Sequence, residues 1–160
     1  MLKNLSLQII VFFTIFQLLS WFKTSDMLEI ESTISTIPVL TTTTNESISL
    51  SAADKKLVLY FFAPWCSICH ASIENLQLLY QQNANIDVIA IALDYTQEQE
   101  IIDFAKQHQL TFPIAYGNEQ VKQLYKVTAY PSYYVISEDN LIKSKSMGYS
   151  TEVGLYIRSL

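Results

Sequence analysis

Residues 61–70 read Phe-Phe-Ala-Pro-Trp-Cys-Ser-Ile-Cys-His and continue an apolar run that starts at Leu57. Cys66 and Cys69 are the only two cysteines of the chain. A Cys-x-x-Cys pair that follows a buried strand and opens a helix is typical of a dithiol that cycles with a disulfide. His70 complicates this interpretation, because Cys-x-x-Cys-His is also the attachment motif of c-type haem. The segment by itself therefore supports two kinds of chemistry.

Composition narrows the choice of function. A chain of 160 residues suggests one domain with room for a substantial core. The net charge is −5 at pH 7, and no basic patch is interleaved with aromatic residues, so the sequence gives no support for a nucleic-acid partner. With two cysteines in total, none is left over for a structural disulfide, and the pair is available for redox chemistry.

The N-terminus resembles a membrane anchor. Residues 4–22 carry no charged side chain, and as a helix rising about 1.5 Å per residue they would cross the hydrocarbon layer of a bilayer. We expect residues 1–22 to form a transmembrane helix. A cleaved signal peptide is the alternative, although no small-x-small cleavage site follows the run.

The charges around this segment predict its orientation. Lys3 precedes it, which favours an N-terminus inside the cell and a domain outside it. The expected location is the inner (cytoplasmic) membrane of a bacterium, with a single pass and the domain in the periplasm or outside. A soluble periplasmic protein, released by signal cleavage, is the alternative. Both compartments permit disulfides.

Apolar periodicity divides the remainder of the chain. Residues 23–35 are polar with mixed charges and are interpreted as a linker, whereas residues 36–160 carry the patterns of a folded domain. Residues 57–62 and 86–93 are continuously apolar, as in strands buried on both faces. Residues 66–82 place apolar side chains at helical spacing, which predicts a helix that begins at the cysteine motif.

The second half of the domain predicts two further helices, a hairpin and a last helix. Thr96, with Gln99 three residues later, has the pattern of a capping box for the first of these helices. Short strands before residue 57 and near residue 114 complete the expected set. The other elements are a helix at 118–125, strands at 132–137 and 141–146, and a helix at 152–159. The order β-β-α-β-α-α-β-β-α predicts an α/β fold with a central mixed sheet and helices on both faces.

Two separated motifs resemble the thioredoxin family. Residues 61–69 resemble its active-site segment, and Thr-Ala-Tyr-Pro-Ser at 128–132 resembles its cis-proline loop. The strand and helix at 88–113 are similar to the insert of the TlpA/ResA-like branch, whose members are membrane-anchored thiol–disulfide oxidoreductases. The resemblance covers about residues 37–160. It implies a thioredoxin fold with a strand–helix insert, preceded by one N-terminal transmembrane helix.

The resemblance also implies roles for particular residues. Cys66 would be the exposed nucleophile, activated by its position at a helix N-terminus, and Cys69 would resolve the mixed disulfide. Trp65, Tyr130 and Pro131 would bind the substrate. A cis peptide bond before Pro131 would present the backbone of Tyr130 to an extended chain.

The sequence departs from the family at the positions that usually handle protons. Many thioredoxins have a buried acid where this chain has Tyr60, and ResA-like members often have Glu where it has Ser72. Glu74 and Asp94 are the candidate substitutes, and Glu74 also stands where many relatives have proline. His70 is interpreted as a solvent-facing helix residue, and the alternative is a modulator that raises the local positive potential when it is protonated.

Three other functions need to be weighed. A c-type haem protein would use Cys66, Cys69 and His70, with Met147 or His108 as the distal ligand. A zinc module would have to use the same three residues together with His108, and adjacent Cys69 and His70 suit one tetrahedral site poorly. A peroxidase of the related peroxiredoxin type usually carries a single reactive cysteine in a Thr/Pro-rich setting, which this site does not resemble.

The favoured interpretation is an enzyme, a protein disulfide oxidoreductase that needs no cofactor and no metal. Its partners would be protein thiols and disulfides, together with a membrane redox protein that recharges the dithiol. The resemblance favours a reductant over an oxidant.

Overall fold

A mixed five-stranded sheet forms the centre of the fold. The structure is a computed structural model that describes residues 7–15, 24–34 and 36–160. In spatial order the strands are β5 (Ile114–Tyr116), β4 (Ile86–Ala92), β3 (Lys56–Phe62), β6 (Ser132–Ile136) and β7 (Ile142–Met147). The first three run parallel, and β6 and β7 are antiparallel to their neighbours. A small hairpin of β1 (Val39–Thr41) and β2 (Ser47–Ser49) precedes the sheet.

Helices cover both faces of the sheet, as predicted. Within residues 36–160 they are α1 (Ser67–Gln82), α2 (Glu98–Gln107), α3 (Glu119–Leu124) and α4 (Glu152–Arg158). The thioredoxin fold with its strand–helix insert, β4 and α2, is thereby present. Since α1 runs without interruption through Glu74, the absence of the family's usual proline leaves it a regular helix.

Alternate residues of β3 build two separate cores. Successive side chains of a strand point to opposite faces, and all of β3 beyond Lys56 is buried, with exposures of 2% or less. Val58, Tyr60 and Phe62 pack with α1, α2 and α4. Leu57, Leu59 and Phe61 belong to the second core, with α3 and the β1–β2 hairpin. Burial of each such large apolar side chain stabilises the fold by about 1.5–3 kcal/mol. Strand β3 is also the middle strand of the sheet.

The segment before β3 lies along both edges of the sheet. At one edge Glu31 donates its amide to the carbonyl of Ile142 (2.7 Å), and Ile142 donates to Ser32 (3.1 Å). At the other edge Thr43 donates to Ile114 (2.9 Å). Met27, which falls within the predicted linker, is 1% exposed and belongs to the second core.

The predicted membrane anchor falls largely outside the described residues. Residues 7–15 are helical, whereas residues 1–6 and 16–23 are not described. Among the described residues, no helix combines the length and apolar character needed to cross a bilayer.

The start of α2 differs from the predicted capping box. The N-cap of α2 is Gln97, which makes no side-chain capping bond, so Thr96 does not cap the helix. Instead the carboxylate of Glu100 accepts the amide of Thr96 at 3.3 Å. A carboxylate in the first turn also interacts favourably with the helix dipole, so a Thr-to-Gln capping box is not needed.

Candidate active site

The two cysteines form a disulfide at the N-terminus of α1. Cys66 is the N-cap residue and its Cα lies 5.2 Å from that of Cys69. The amide of Cys69 donates to Sγ of Cys66 at 3.1 Å, and the helix dipole adds partial positive charge there. Cys66 is 7% exposed and Cys69 is 0% exposed. Cys66 is therefore more buried than the exposed nucleophile that the resemblance implied, although it keeps a small exposed area, whereas Cys69 has none and lies inside the first core.

Three hydroxyl groups lie beneath the disulfide, and two of them, on Tyr60 and Ser72, stand at positions where relatives often have carboxylates. Tyr60 donates to the carbonyl of Cys69 (3.3 Å) and lies 3.3 Å from Oγ of Ser72. Tyr133 donates to the same Ser72 oxygen at 3.2 Å. Burial, followed by the neighbouring Tyr133, raises the pKa of Tyr60 well above its ordinary value. This hydroxyl cluster is therefore uncharged at neutral pH.

Asp94 connects the segments on both sides of the disulfide. Its carbonyl accepts Nε1 of Trp65 at 2.9 Å. Its carboxylate accepts the hydroxyl of Tyr130 at 2.9 Å and Nζ of Lys122 at 2.6 Å. The bond from Lys122 holds the pKa of Asp94 below its ordinary value. The peptide bond between Tyr130 and Pro131 is cis, as the resemblance to the thioredoxin family implied.

An aromatic surface flanks Cys66 as a result. The rings of Trp65 and Tyr130 meet edge to face with centroids 6.0 Å apart. Trp65 is 65% exposed and the neighbouring Ile68 is 51% exposed. Large exposed apolar side chains of this kind commonly mark a binding surface. Trp65 and Tyr130, two of the residues predicted to bind the substrate, thus contact each other next to Cys66, and the third, Pro131, follows Tyr130 in the chain.

His70 is half-buried and fully hydrogen-bonded, so its prediction as a solvent-facing residue is wrong. Its Nε2 lies 2.8 Å from the carbonyl oxygen of Pro64, and its Nδ1 lies 2.8 Å from Nε2 of His108. Phe104 packs against both imidazole rings, with centroids 4.6 Å and 4.8 Å away. Phe104 lies in the helix of the insert, α2, and His108 is its C-cap residue, so the end of this helix holds His70 in place.

The two candidate carboxylates lie in different places. Glu74 is 74% exposed, and its Oε1 lies 3.7 Å from Nδ1 of His108. Asp94 contacts the aromatic surface rather than the underside of the disulfide. Sequence reasoning missed Lys122 and Tyr133 as members of the site, since no motif links either residue to the cysteines.

The geometry bears on the haem and zinc alternatives. Both ring nitrogens of His70 already have partners, so ligation of an iron would break one of those bonds. Met147 packs with the second core, on the other face of the sheet from Cys69. In the part of the chain that the structure describes, no three His, Cys, Asp or Glu side chains are grouped as a metal site requires.

The chain is similar to known proteins in sequence and in fold. Residues 35–145 match the AhpC/TSA family. The thioredoxin-like protein YneN of Bacillus subtilis is 30% identical over 118 residues, which are 71% of this chain and 69% of YneN. The thiol-disulfide oxidoreductase ResA of Oceanobacillus iheyensis is 33% identical over 97 residues, 59% of this chain and 50% of ResA. The crystal structure of StoA from Bacillus subtilis superposes with a TM-score of 0.70 at 21% identity, covering 81% of this chain and 100% of that one, which shows a shared fold.

Proposed function

The chain belongs to the AhpC/TSA family and is a thioredoxin-like thiol–disulfide oxidoreductase, and from this premise we propose that it reduces protein disulfides outside the cytoplasm. The observation that carries the proposal is the Cys66–Cys69 disulfide at the start of α1, in which Cys66 is the less buried of the two cysteines and follows the exposed Trp65. A site of this shape suits a protein substrate, because an extended chain can lie against Trp65 and Tyr130 while its disulfide meets Cys66.

The reaction follows from the positions of the two sulfurs. The Cys66 thiolate attacks one sulfur of the substrate disulfide, forms a mixed disulfide and displaces the second substrate sulfur as a thiolate. Cys69, deprotonated, then attacks Sγ of Cys66 and releases the first substrate sulfur. The substrate leaves with two thiols, and the protein is left with its own disulfide. Two electrons pass to the substrate in each cycle, and a membrane redox partner would return them.

The amide groups of α1 favour the first step. The Cys69 amide that contacts Sγ of Cys66 in the disulfide stabilises negative charge on that sulfur in the thiolate. The hydroxyl cluster of Tyr60, Ser72 and Tyr133 fixes the carbonyl of Cys69 without adding charge. Cys66 is therefore the sulfur activated for attack, and Cys69 is held one helical turn away to resolve the intermediate.

Two cysteine variants test the central assignment. Cys66→Ser is expected to abolish reduction of a model protein disulfide such as that of insulin, and Cys69→Ser is expected to accumulate mixed disulfides with its substrates. Ser67→Ala, between the two cysteines, is the matched control and should retain activity. Full reductase activity in Cys66→Ser would contradict the proposal. Consumption of peroxide with a thiol donor would instead favour the peroxidase alternative.

The direction of electron flow is tested by the reduction potential. A reductant should equilibrate with glutathione nearer to thioredoxin, at about −270 mV, than to the oxidant DsbA, at about −120 mV. A value close to that of DsbA would make the protein an oxidant. The proposed location is tested separately by fusing a reporter that is active only outside the cytoplasm after Leu160. The uncharged run at residues 4–22 supports an anchored domain in that compartment.

A further inference from the structure

His70 contacts the carbonyl oxygens of the two residues on either side of Trp65. Its backbone amide donates to the carbonyl of Cys66 at 3.1 Å, which is the first bond of α1. Its ring nitrogen Nε2 lies 2.8 Å from the carbonyl oxygen of Pro64. One residue thereby fixes the backbone on both sides of the exposed indole and next to the nucleophile.

The hydrogen bonds of His70 determine the position of every imidazole proton. A carbonyl oxygen only accepts, so Nε2 of His70 must carry the proton that bonds to Pro64. In the neutral ring Nδ1 is then an acceptor, and Nε2–H of His108 donates to it across 2.8 Å. Nδ1 of His108 consequently has no proton in the neutral state. That nitrogen faces Oε1 of Glu74 at 3.7 Å, and a proton that enters the pair can bind only there.

The surroundings of His108 disfavour its charged form. The side chain of His108 is only 7% exposed, and burial together with the adjacent His70 lowers its pKa, while Glu74 acts in the opposite direction. Glu100 and Asp103, on α2, line the same surface hollow as His70. The acidic groups that face the pair from α1 and α2 therefore provide countercharge for one added proton.

We propose that His70 and His108 are positioning residues of the dithiol site, and that the proton taken up between His108 and Glu74 keeps Cys66 reactive in acidic surroundings. The inference rests on the function proposed above. Once Nδ1 of His108 is protonated, its positive charge is shared through the hydrogen bond with His70, which follows Cys69 directly. Positive charge near a thiolate stabilises it, so less of the Cys66 thiolate is lost as the pH falls than would be lost beside a neutral His108.

The decisive variant is His108→Gln, whose amide can still donate to His70 but cannot take up a proton. The measurement is the alkylation rate of Cys66 in the reduced full-length protein across acidic and neutral pH, each rate divided by that at pH 8. At about pH 5.5 the ratio in His108→Gln should be about threefold lower than in the wild type. A factor of about three is what half a pKa unit corresponds to. Glu74→Gln should lower the ratio in the same direction, because it removes the countercharge.

The control is Glu138→Gln, which removes a carboxylate from the turn between β6 and β7 and should leave the ratio unchanged. A ratio in His108→Gln equal to that of the wild type would overturn the inference, as would an equal fall in the control. Nitrogen NMR of the imidazoles in the wild-type protein supplies a test that needs no variant. At a pH at which the pair is neutral it should find both rings protonated at Nε2, and a neutral ring that carries its proton on Nδ1 instead would overturn the inference.

These measurements separate the inference from the proposed function. If the wild type fails to reduce insulin while the alkylation ratio still depends on His108, the positioning role stands and the proposed reaction is wrong. If the wild type reduces insulin and the alkylation ratio is the same in His108→Gln as in the wild type, the proposed reaction stands and the positioning role is wrong.

Discussion

At the scale of single residues, Asp94 joins the parts of the proposed substrate surface. It binds Trp65 through its carbonyl, and Tyr130 and Lys122 through its carboxylate. Its φ of 50° lies in the left-handed region, which asparagine tolerates nearly as well. Asp94→Asn therefore changes the charge with little effect on the backbone.

We expect Asp94→Asn to lower kcat/KM for a protein disulfide by about two- to tenfold, the loss from one hydrogen bond of about 0.5–1.5 kcal/mol. Turnover of a small disulfide that does not reach Tyr130 should stay unchanged, and an equal loss on both substrates would contradict the assignment.

The carboxylate of Asp94 also makes stability depend on pH. Because the pKa of Asp94 is depressed in the folded protein, any stability from this carboxylate is present above its ordinary pKa of 3.8. It is lost as the pH falls through the pKa of the folded state.

A second prediction at the scale of single residues concerns the hydroxyl of Tyr60. Tyr60→Phe removes the hydroxyl that donates to Cys69 and should decrease the free energy of unfolding by about 1 kcal/mol. The pH profile of disulfide exchange should keep its shape between neutral pH and pH 9, because the raised pKa of Tyr60 keeps this hydroxyl protonated there. Denaturant titration and stopped-flow kinetics check the two parts. A shifted profile would show that the hydroxyl takes part in proton transfer.

At the scale of elements, the contact between β4 and the end of β5 leaves no room for a side chain at Gly117. A Cβ at this position would lie 2.6 Å from the carbonyl oxygen of Ala92 and 2.6 Å from Leu93. We expect Gly117→Ala to destabilise the fold by about 1–3 kcal/mol, as overpacked sites do.

Gly154→Ala is the matched comparison, since its nearest neighbour at 3.1 Å is the side-chain oxygen of Thr151, and it should stay within about 1 kcal/mol of the wild type. Thermal unfolding of both variants provides the measurement. Equal stability of the two variants would mean that β5 moves away from β4.

The elements also show what the sequence could predict. Strands β3 and β4 were predictable because burial on both faces demands an unbroken apolar run, and α1 because its apolar stripe follows the cysteine motif. The pairing of His70 with His108 was not, since 38 residues separate them and Phe104 brings them together only through packing. The capping of α2 was predicted wrongly, because Glu100 can reach back to the amide of Thr96 and replaces the expected pattern.

At the scale of the whole molecule, buried tyrosines determine the response to alkali. Burial raises the pKa of Tyr133 and Tyr134 to about 12 from an ordinary value of 10.0, and that of Tyr60 and Tyr125 is raised as well. A group whose pKa is raised in the folded protein contributes stability that is complete below its pKa in the unfolded chain. That stability is lost as the pH rises through its pKa in the folded protein. We expect the melting temperature to fall progressively between pH 10 and pH 12. A curve that stays level over this interval would contradict the burial of these hydroxyls.

The segment at residues 24–50 has a second consequence at this scale. Exposed edge strands can pair with other chains, and here Glu31 and Ser32 bond to Ile142 at the start of β7 while Thr43 bonds to Ile114 of β5. We therefore expect this segment to prevent self-association through the sheet edges. Removing residues 1–50 should make the remaining domain aggregate in proportion to its concentration, which light scattering would detect. A truncated domain that stays monomeric would show that the charges of Lys143 and Lys145 on β7 suffice to keep copies apart.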